Sequence, residues 1–178
     1  RAKTLRHASN ELNKEKTELK KYRRQELLAL RRVPTEIAIE RNTWFHLGIN
    51  SSEQFIYCLR RILDPVKEHV DNNFNPLPAE YIEEFRPIRA QINDLMQQTE
   101  SQISTCRFEN YRETLSLADQ CKDELSVIRK KHIDRIQQSK DNSKLQVSLV
   151  YLNLLQESQQ LLSNMRHQLR AAKKFIDN

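Results

Sequence analysis

The chain has 178 residues and a single glycine. A sheet protein uses glycine at many of its corners, where the backbone needs positive φ, so this scarcity excludes a β-rich fold and favours long helices with few connections. It also excludes a glycine-rich loop that cradles phosphate. The nucleophile elbow GxSxG and the zinc motif HExxH are missing too, so the sequence is not expected to be an enzyme. Cysteine is scarce as well. Cys58, Cys106 and Cys121 form an odd set without CxxC spacing, which argues against a disulfide framework or a zinc finger and for a reducing compartment. No run approaches the ~20 apolar residues that span a bilayer. The richest window, VSLVYLNLL at residues 147–155, is too short. With no signal peptide and no initiating Met, the chain reads as a soluble piece of a larger protein.

What is present is charge, unevenly spread. Residues 1–32 carry eleven Lys and Arg against four Glu, a net of +7, while the whole chain sums to +6. The basicity therefore belongs to one segment. It admits three readings: a solvated helix face, a nucleic-acid surface, or a helix lying near an anionic cytoplasmic leaflet, where juxtamembrane Lys and Arg are favoured. The absence of interleaved aromatics and the presence of Glu between the cations argue against nucleic acid. Lys20, Lys21, Arg23 and Arg24 are the candidate contacts to a membrane or partner.

Apolar residues recur at steps of three and four along the whole chain, the period of amphipathic helices. The spacing predicts helices over residues 3–32, 35–73, 79–104, 107–138 and 143–176. Short connections make successive helices antiparallel neighbours. The expected fold is a single all-α domain, an elongated up-and-down bundle. The first helix shows only a thin seam (Leu5, Ala8, Leu12, Leu19, Tyr22, Leu27, Leu30), which leaves room for a homodimer through it. Pro34 sits at the start of the second helix, where its missing N–H costs nothing. Gly48 and Ser52 lie on that helix's apolar stripe, so close backbone approach is expected there, and "GINSSE" is read as continuous helix. Pro87 is expected to kink the third helix or to split off its first turn. The fifth helix, apolar on most faces in its first half, is placed centrally, with a stripe that starts at Leu145 and Leu149.

Carboxylates recur in i,i+4 pairs: Glu36/Glu40, Asp64/Glu68, Glu80/Glu84, Glu109/Glu113 and Asp119/Asp123. That spacing places both on one helix face, where two helices could hold a hard divalent cation, although a solvated face is the commoner outcome. Asp64, Glu68 and Asp71 stand out, because helix C-termini favour cations over anions. Asp119 and Asp123 complete the candidate metal ligands. His132 falls on an apolar stripe and reads as a hydrogen-bonded core imidazole, His69 as a cap or a ligand, and the cysteines as small apolar fillers. Asn72 or Asn73 is expected to close the second helix in the left-handed conformation.

Two stretches resemble a known family. LDPVKEHVDNNFNPLPAEYIEEF (residues 63–85) and SLVYLNLLQESQQLLSNMRHQLRAAKKF (residues 148–175) are similar to the C-terminal cytosolic region of bacterial inorganic phosphate transporters of the PiT family. In a subset of these, a helical domain similar to PhoU follows the membrane segments. The matching elements, EHVDNN and LNLL-x-E, occur in the family's order, and together the stretches cover about a third of the chain. The resemblance implies a PhoU-like bundle on the cytoplasmic face of the bacterial inner membrane. It would be tethered by its N-terminus to the transmembrane part and would modulate phosphate uptake, with Asn72 among its contacts. PhoU proteins collect metal on ExxxD-type motifs. Here Asp64/Glu68 with Asp71 departs from ExxxDxxxD, and Asp119/Asp123 is half of it. Two alternatives stand beside this reading: a free-standing helical scaffold, and an unattached PhoU-like metal-binding signalling protein.

Overall fold

A computed structural model describes residues 2–72, 75–139 and 144–177, apart from the side chain of Leu30. Five helices account for nearly all of them: α1 (Ala2–Leu30), α2 (Thr35–Asp71), α3 (Ala79–Thr105), α4 (Tyr111–Gln138) and α5 (Leu145–Asp177). There is no strand among the described residues. The fold is an all-α up-and-down bundle, as the period of the apolar residues requires.

The side-chain contacts fix its directions. Along α2 and α5, Ser52 meets Gln168, Cys58 meets Asn164 and Arg61 meets Glu157, so the pair is antiparallel. Glu84–Arg135 and Gln102–Thr114 set α3 against α4, and His132–Ser148 and Asp119–Arg166 set α4 against α5, again antiparallel. Asn13–Arg60 and Arg23–Glu53 do the same for α1 and α2.

α5 is central, in contact with α2, α3 and α4. Its buried face (Tyr151, Leu155, Leu162, Met165, Leu169) closes the core with Ile88, Ile92 and Leu95 of α3 and Ala118, Cys121 and Leu125 of α4. Its first turns are phased differently from the expected stripe. Val147 and Ser148 are buried, while Leu145 and Leu149 are exposed, because α4 covers the opposite side of the helix there. One expected neighbour relation fails. α2 and α3 follow one another in sequence but make no backbone contact, since α2 packs on α5 and α1. α1 packs its backbone on α2 alone and, among its described side chains, buries none completely. A helix with a thin seam can do no more.

α2 runs unbroken through "GINSSE", with the hydroxyls of Ser51 and Ser52 donating back to the carbonyls of Leu47 and Gly48. The close approach expected at Gly48 is absent: a methyl there would meet Ala171 Cβ at 3.9 Å, an ordinary contact. Gly48 therefore costs helix propensity with no compensating packing. Gly48→Ala is expected to raise stability by about 0.5–1 kcal/mol, read as a higher urea midpoint at unchanged slope.

α3 is continuous through Pro87, so no first turn is split off, and it ends in a Schellman motif. Arg107 N–H reaches Gln102 O (3.1 Å) and Cys106 N–H reaches Ile103 O (3.3 Å). The left-handed position of that motif, usually glycine, is held by Cys106 at φ 54°. Cys106 is exposed and so is not the apolar filler the sequence suggests, whereas Cys58 and Cys121 are fully buried. Cys106→Gly should stabilise the chain by about 1 kcal/mol by removing the Cβ penalty, checked by the thermal midpoint.

Candidate functional site

The densest array of ionisable and aromatic side chains lies where α3, α4 and α5 meet near the start of α3. Glu84 is its centre. Arg135 grips the carboxylate with two nitrogens (3.0 and 2.8 Å), Lys131 Nζ donates at 3.2 Å and the Tyr151 hydroxyl at 3.1 Å. Glu80, one turn earlier and largely exposed, stands 3.2 Å from Arg135. Burial alone would raise the Glu84 carboxyl, but the donors from Arg135, Lys131 and Tyr151 more than offset it and hold the group below the ordinary carboxylate range. Burial, with Glu84 beside it, pushes the Tyr151 phenol up, so it remains a hydroxyl donor.

Above this carboxylate Tyr81 and Tyr151 stack at 4.7 Å, and His132 meets both edge-on at 4.9 and 4.8 Å. His132 is fully buried, the core imidazole the sequence suggests. Its Nε2 lies 2.9 Å from the Ser148 carbonyl, which can only accept, so Nε2 carries the proton. Nδ1 is then a buried acceptor without a partner among the described residues. The four donors on Glu84 fill its lone-pair sites, so this carboxylate ties three helices together.

A second polar seam joins α2 to α5. Pro65 has no N–H, so it leaves the Arg61 carbonyl without its helical donor. Asn153 of α5 supplies one at 2.6 Å. Nearby, Arg61 and Asn164 donate to the buried Cys58 sulfur at 3.2 and 3.3 Å. Arg61 Nε stands 2.8 Å from the buried Glu157, a charge pair without hydrogen-bond alignment. Burial pushes the Cys58 thiol up, and that of Cys121 to about 11, so neither offers a thiolate at neutral pH. Asn153→Leu should cost about 1 kcal/mol of stability, and the loss should vanish in a Pro65→Ala background, where the helix supplies the donor itself.

The metal candidates are not brought together. Asp64, Glu68 and Asp71 are exposed along the last turns of α2, and Asp119 and Asp123 lie on α4, which does not touch α2. Asp119 accepts Arg166 at 2.6 Å. Among the described residues no three His, Cys, Asp or Glu side chains are grouped to hold a metal ion. Glu84, of the Glu80/Glu84 pair, does meet cations, but they are the side chains of Arg135 and Lys131. The corresponding signal, Lys131 and Arg135 at i,i+4 on α4, was readable in the sequence beside His132.

His69 is a tie to the loop, with Nε2 2.6 Å from the Asn75 carbonyl. Asn72 closes α2 through its N–H to Glu68 O at φ −88°, so it does not take the left-handed form. Asn73, the other residue expected to do so, lies outside the described residues. On α1, Lys20 and Arg24 are exposed, Lys21 pairs with Glu18 at 2.6 Å and Arg23 approaches Glu53 at 3.7 Å.

No family model matches the chain, and no curated protein or solved structure matches it. No helix among the described residues is long and apolar enough to cross a membrane.

Proposed function

We propose that the chain is a non-catalytic regulatory domain of an inorganic phosphate transporter of the PiT family, acting on uptake by contact with the membrane part from the cytoplasmic face of the bacterial inner membrane. One observation supports this reading most. The two stretches that carry the resemblance pack against each other: Tyr81 and Glu84 of the first stack on and bond to Tyr151 of the second. Segments far apart in sequence that jointly build one buried cluster belong to one structural unit, which favours a common origin over two chance similarities. The basic α1 leads into this bundle, and Lys20, Lys21, Arg23 and Arg24 would face anionic headgroups or the transporter itself.

The test is genetic and then functional. The reading frame upstream of Arg1 should encode hydrophobic spans. Deleting the domain from that transporter should change phosphate uptake while the membrane part still inserts. A start codon next to Arg1 with no hydrophobic segment before it, or uptake unaltered by the deletion, would sink the proposal.

A further inference from the structure

Because α2 and α3 stand apart over α5, an apolar cleft opens between them, and α1 forms its outer wall. Three lobes of about 250, 310 and 340 Å³ make up this cleft, and Gln168 lines all of them. The first lobe is walled by aromatic and aliphatic groups, among them Trp44, Phe108 and Phe175. The second lies between Phe55 of α2 and Met96 and Ile103 of α3. The third runs under Leu12, Leu19 and Tyr22 of α1. From Trp44 to Leu59, α2 spans about 22 Å of this floor, the length of some four helical turns.

The charged side chains that line the lobes are Glu15, Glu18 and Glu100, all acidic, in a chain whose net charge is +6. Glu18 shares Lys21 in an exposed pair, while Glu15 and Glu100 have no ion pair among the described residues. The acidic wall follows from how α1 is built. At about 100° per residue its four glutamates (Glu11, Glu15, Glu18, Glu26) fall within roughly 80° of arc around Tyr22, the side that faces the cleft, and its Lys and Arg occupy other directions. Lys16 and Arg23 lie toward α2, over Tyr57 and beside Glu53.

We infer that this cleft is a docking groove for one amphipathic helix whose apolar stripe is flanked by Lys and Arg, laid between α1 and α3 on the floor of α2 and α5. Apolar anchors at i, i+3, i+4 and i+7 would enter the three lobes, and the flanking cations would meet Glu15 and Glu100. The inference rests on the cleft alone and does not require the partner to be a phosphate transporter.

The probe is a fluorescent 18-residue peptide with Leu at those spacings and Lys elsewhere, titrated by anisotropy into the full chain. Saturable binding that weakens with salt is expected, with amide shift changes centred on Ile49, Ile103 and Gln168. Glu15→Lys/Glu100→Lys should weaken binding at least about tenfold. The exposed control Asp123→Lys/Asp134→Lys, with the same change of charge, should not. Circular dichroism melts establish that both variants are folded. The inference is overturned if the Lys peptide does not bind, if a Leu/Glu peptide of the same pattern binds as well, or if the control loses as much. Sedimentation velocity showing a dimer that buries Ile103 and Gln168 would also overturn it, by giving the cleft to a second copy.

Discussion

Glu84→Ala is expected to destabilise the chain by about 3 kcal/mol, because it leaves buried donors with nothing to donate to. Lys131, mostly exposed, returns to water at little cost. Arg135 is 22% exposed and keeps the face of Tyr81 and, as its remaining ion pair among the described residues, Glu80, whose own side chain is largely in solvent. Tyr151, the largest fully buried side chain, loses the one acceptor of its hydroxyl. The loss should therefore be shared between the guanidinium and the phenol, and a double-mutant cycle can apportion it. Tyr151→Phe alone should cost about 1 kcal/mol. In the Glu84→Ala background it should cost less, or even stabilise, since it removes the orphaned hydroxyl. Urea denaturation of the four proteins measures the coupling. Additive costs would mean that Glu84 and Tyr151 act independently and that the hydrogen bond between them contributes nothing. Glu84→Gln, which keeps an acceptor for Tyr151 but loses the charge that holds Arg135, should fall between wild type and Glu84→Ala.

The helices could be read in the sequence nearly to their ends because each carries its apolar stripe at the right period for seven turns or more. Where the reading failed, the cause was nonlocal. Nothing in the spacing of Leu145 and Leu149 says that α4 covers the other side of α5, so the buried residues there became Val147 and Ser148. Pro87 does not split off the first turn of α3, because near the helix start the carbonyl it leaves free, that of the exposed Glu83, can be met by solvent. Pro65 lies deep in α2, and the Arg61 carbonyl it frees is met by Asn153, 92 positions from Arg61, which no local pattern announces. The acidic pair Glu80/Glu84 was visible as a place that attracts cations, but period alone could not tell a bound ion from an arginine on the next helix. The cleft was hidden for a related reason. Short connections suggest that consecutive helices touch, and α2 and α3 do not, because α2 packs on α5 and α1 instead. Charge segregation on α1 was present in the sequence all along, but it acquires meaning only once Tyr22 is known to look into a cleft.

His132→Ala should cost on the order of 3 kcal/mol at pH 7.5, by emptying a fully buried site beside two stacked tyrosines. A more telling variant is His132→Leu, which refills most of that space and removes the titration. Burial lowers the folded-state pKa of His132, with Arg135 adding to the effect, and the bond to Ser148, together with Glu84 and Glu80, opposes it without cancelling it. The sign follows from proton uptake. Above its ordinary value of 6.5 the imidazole is neutral in both folded and unfolded chains and contributes no pH dependence. As the pH falls below 6.5 the unfolded chain takes up a proton that the folded chain resists, so stability drops until the folded pKa is reached. Glu84 acts in the same direction but lower. Its depressed carboxyl gives stability that is complete above the ordinary 4.5 and is lost as the pH falls through the folded value. Thermal midpoints between pH 7.5 and 5 therefore isolate the histidine. Wild type should lose stability across that interval, and His132→Leu should stay nearly flat. An equal drop in the variant would assign the acid sensitivity to groups other than His132, and would mean that the ring beside Tyr81 and Tyr151 accepts its proton as readily folded as unfolded. A flat variant would instead show that the acid sensitivity in this interval comes from protonating the imidazole packed against Tyr81 and Tyr151.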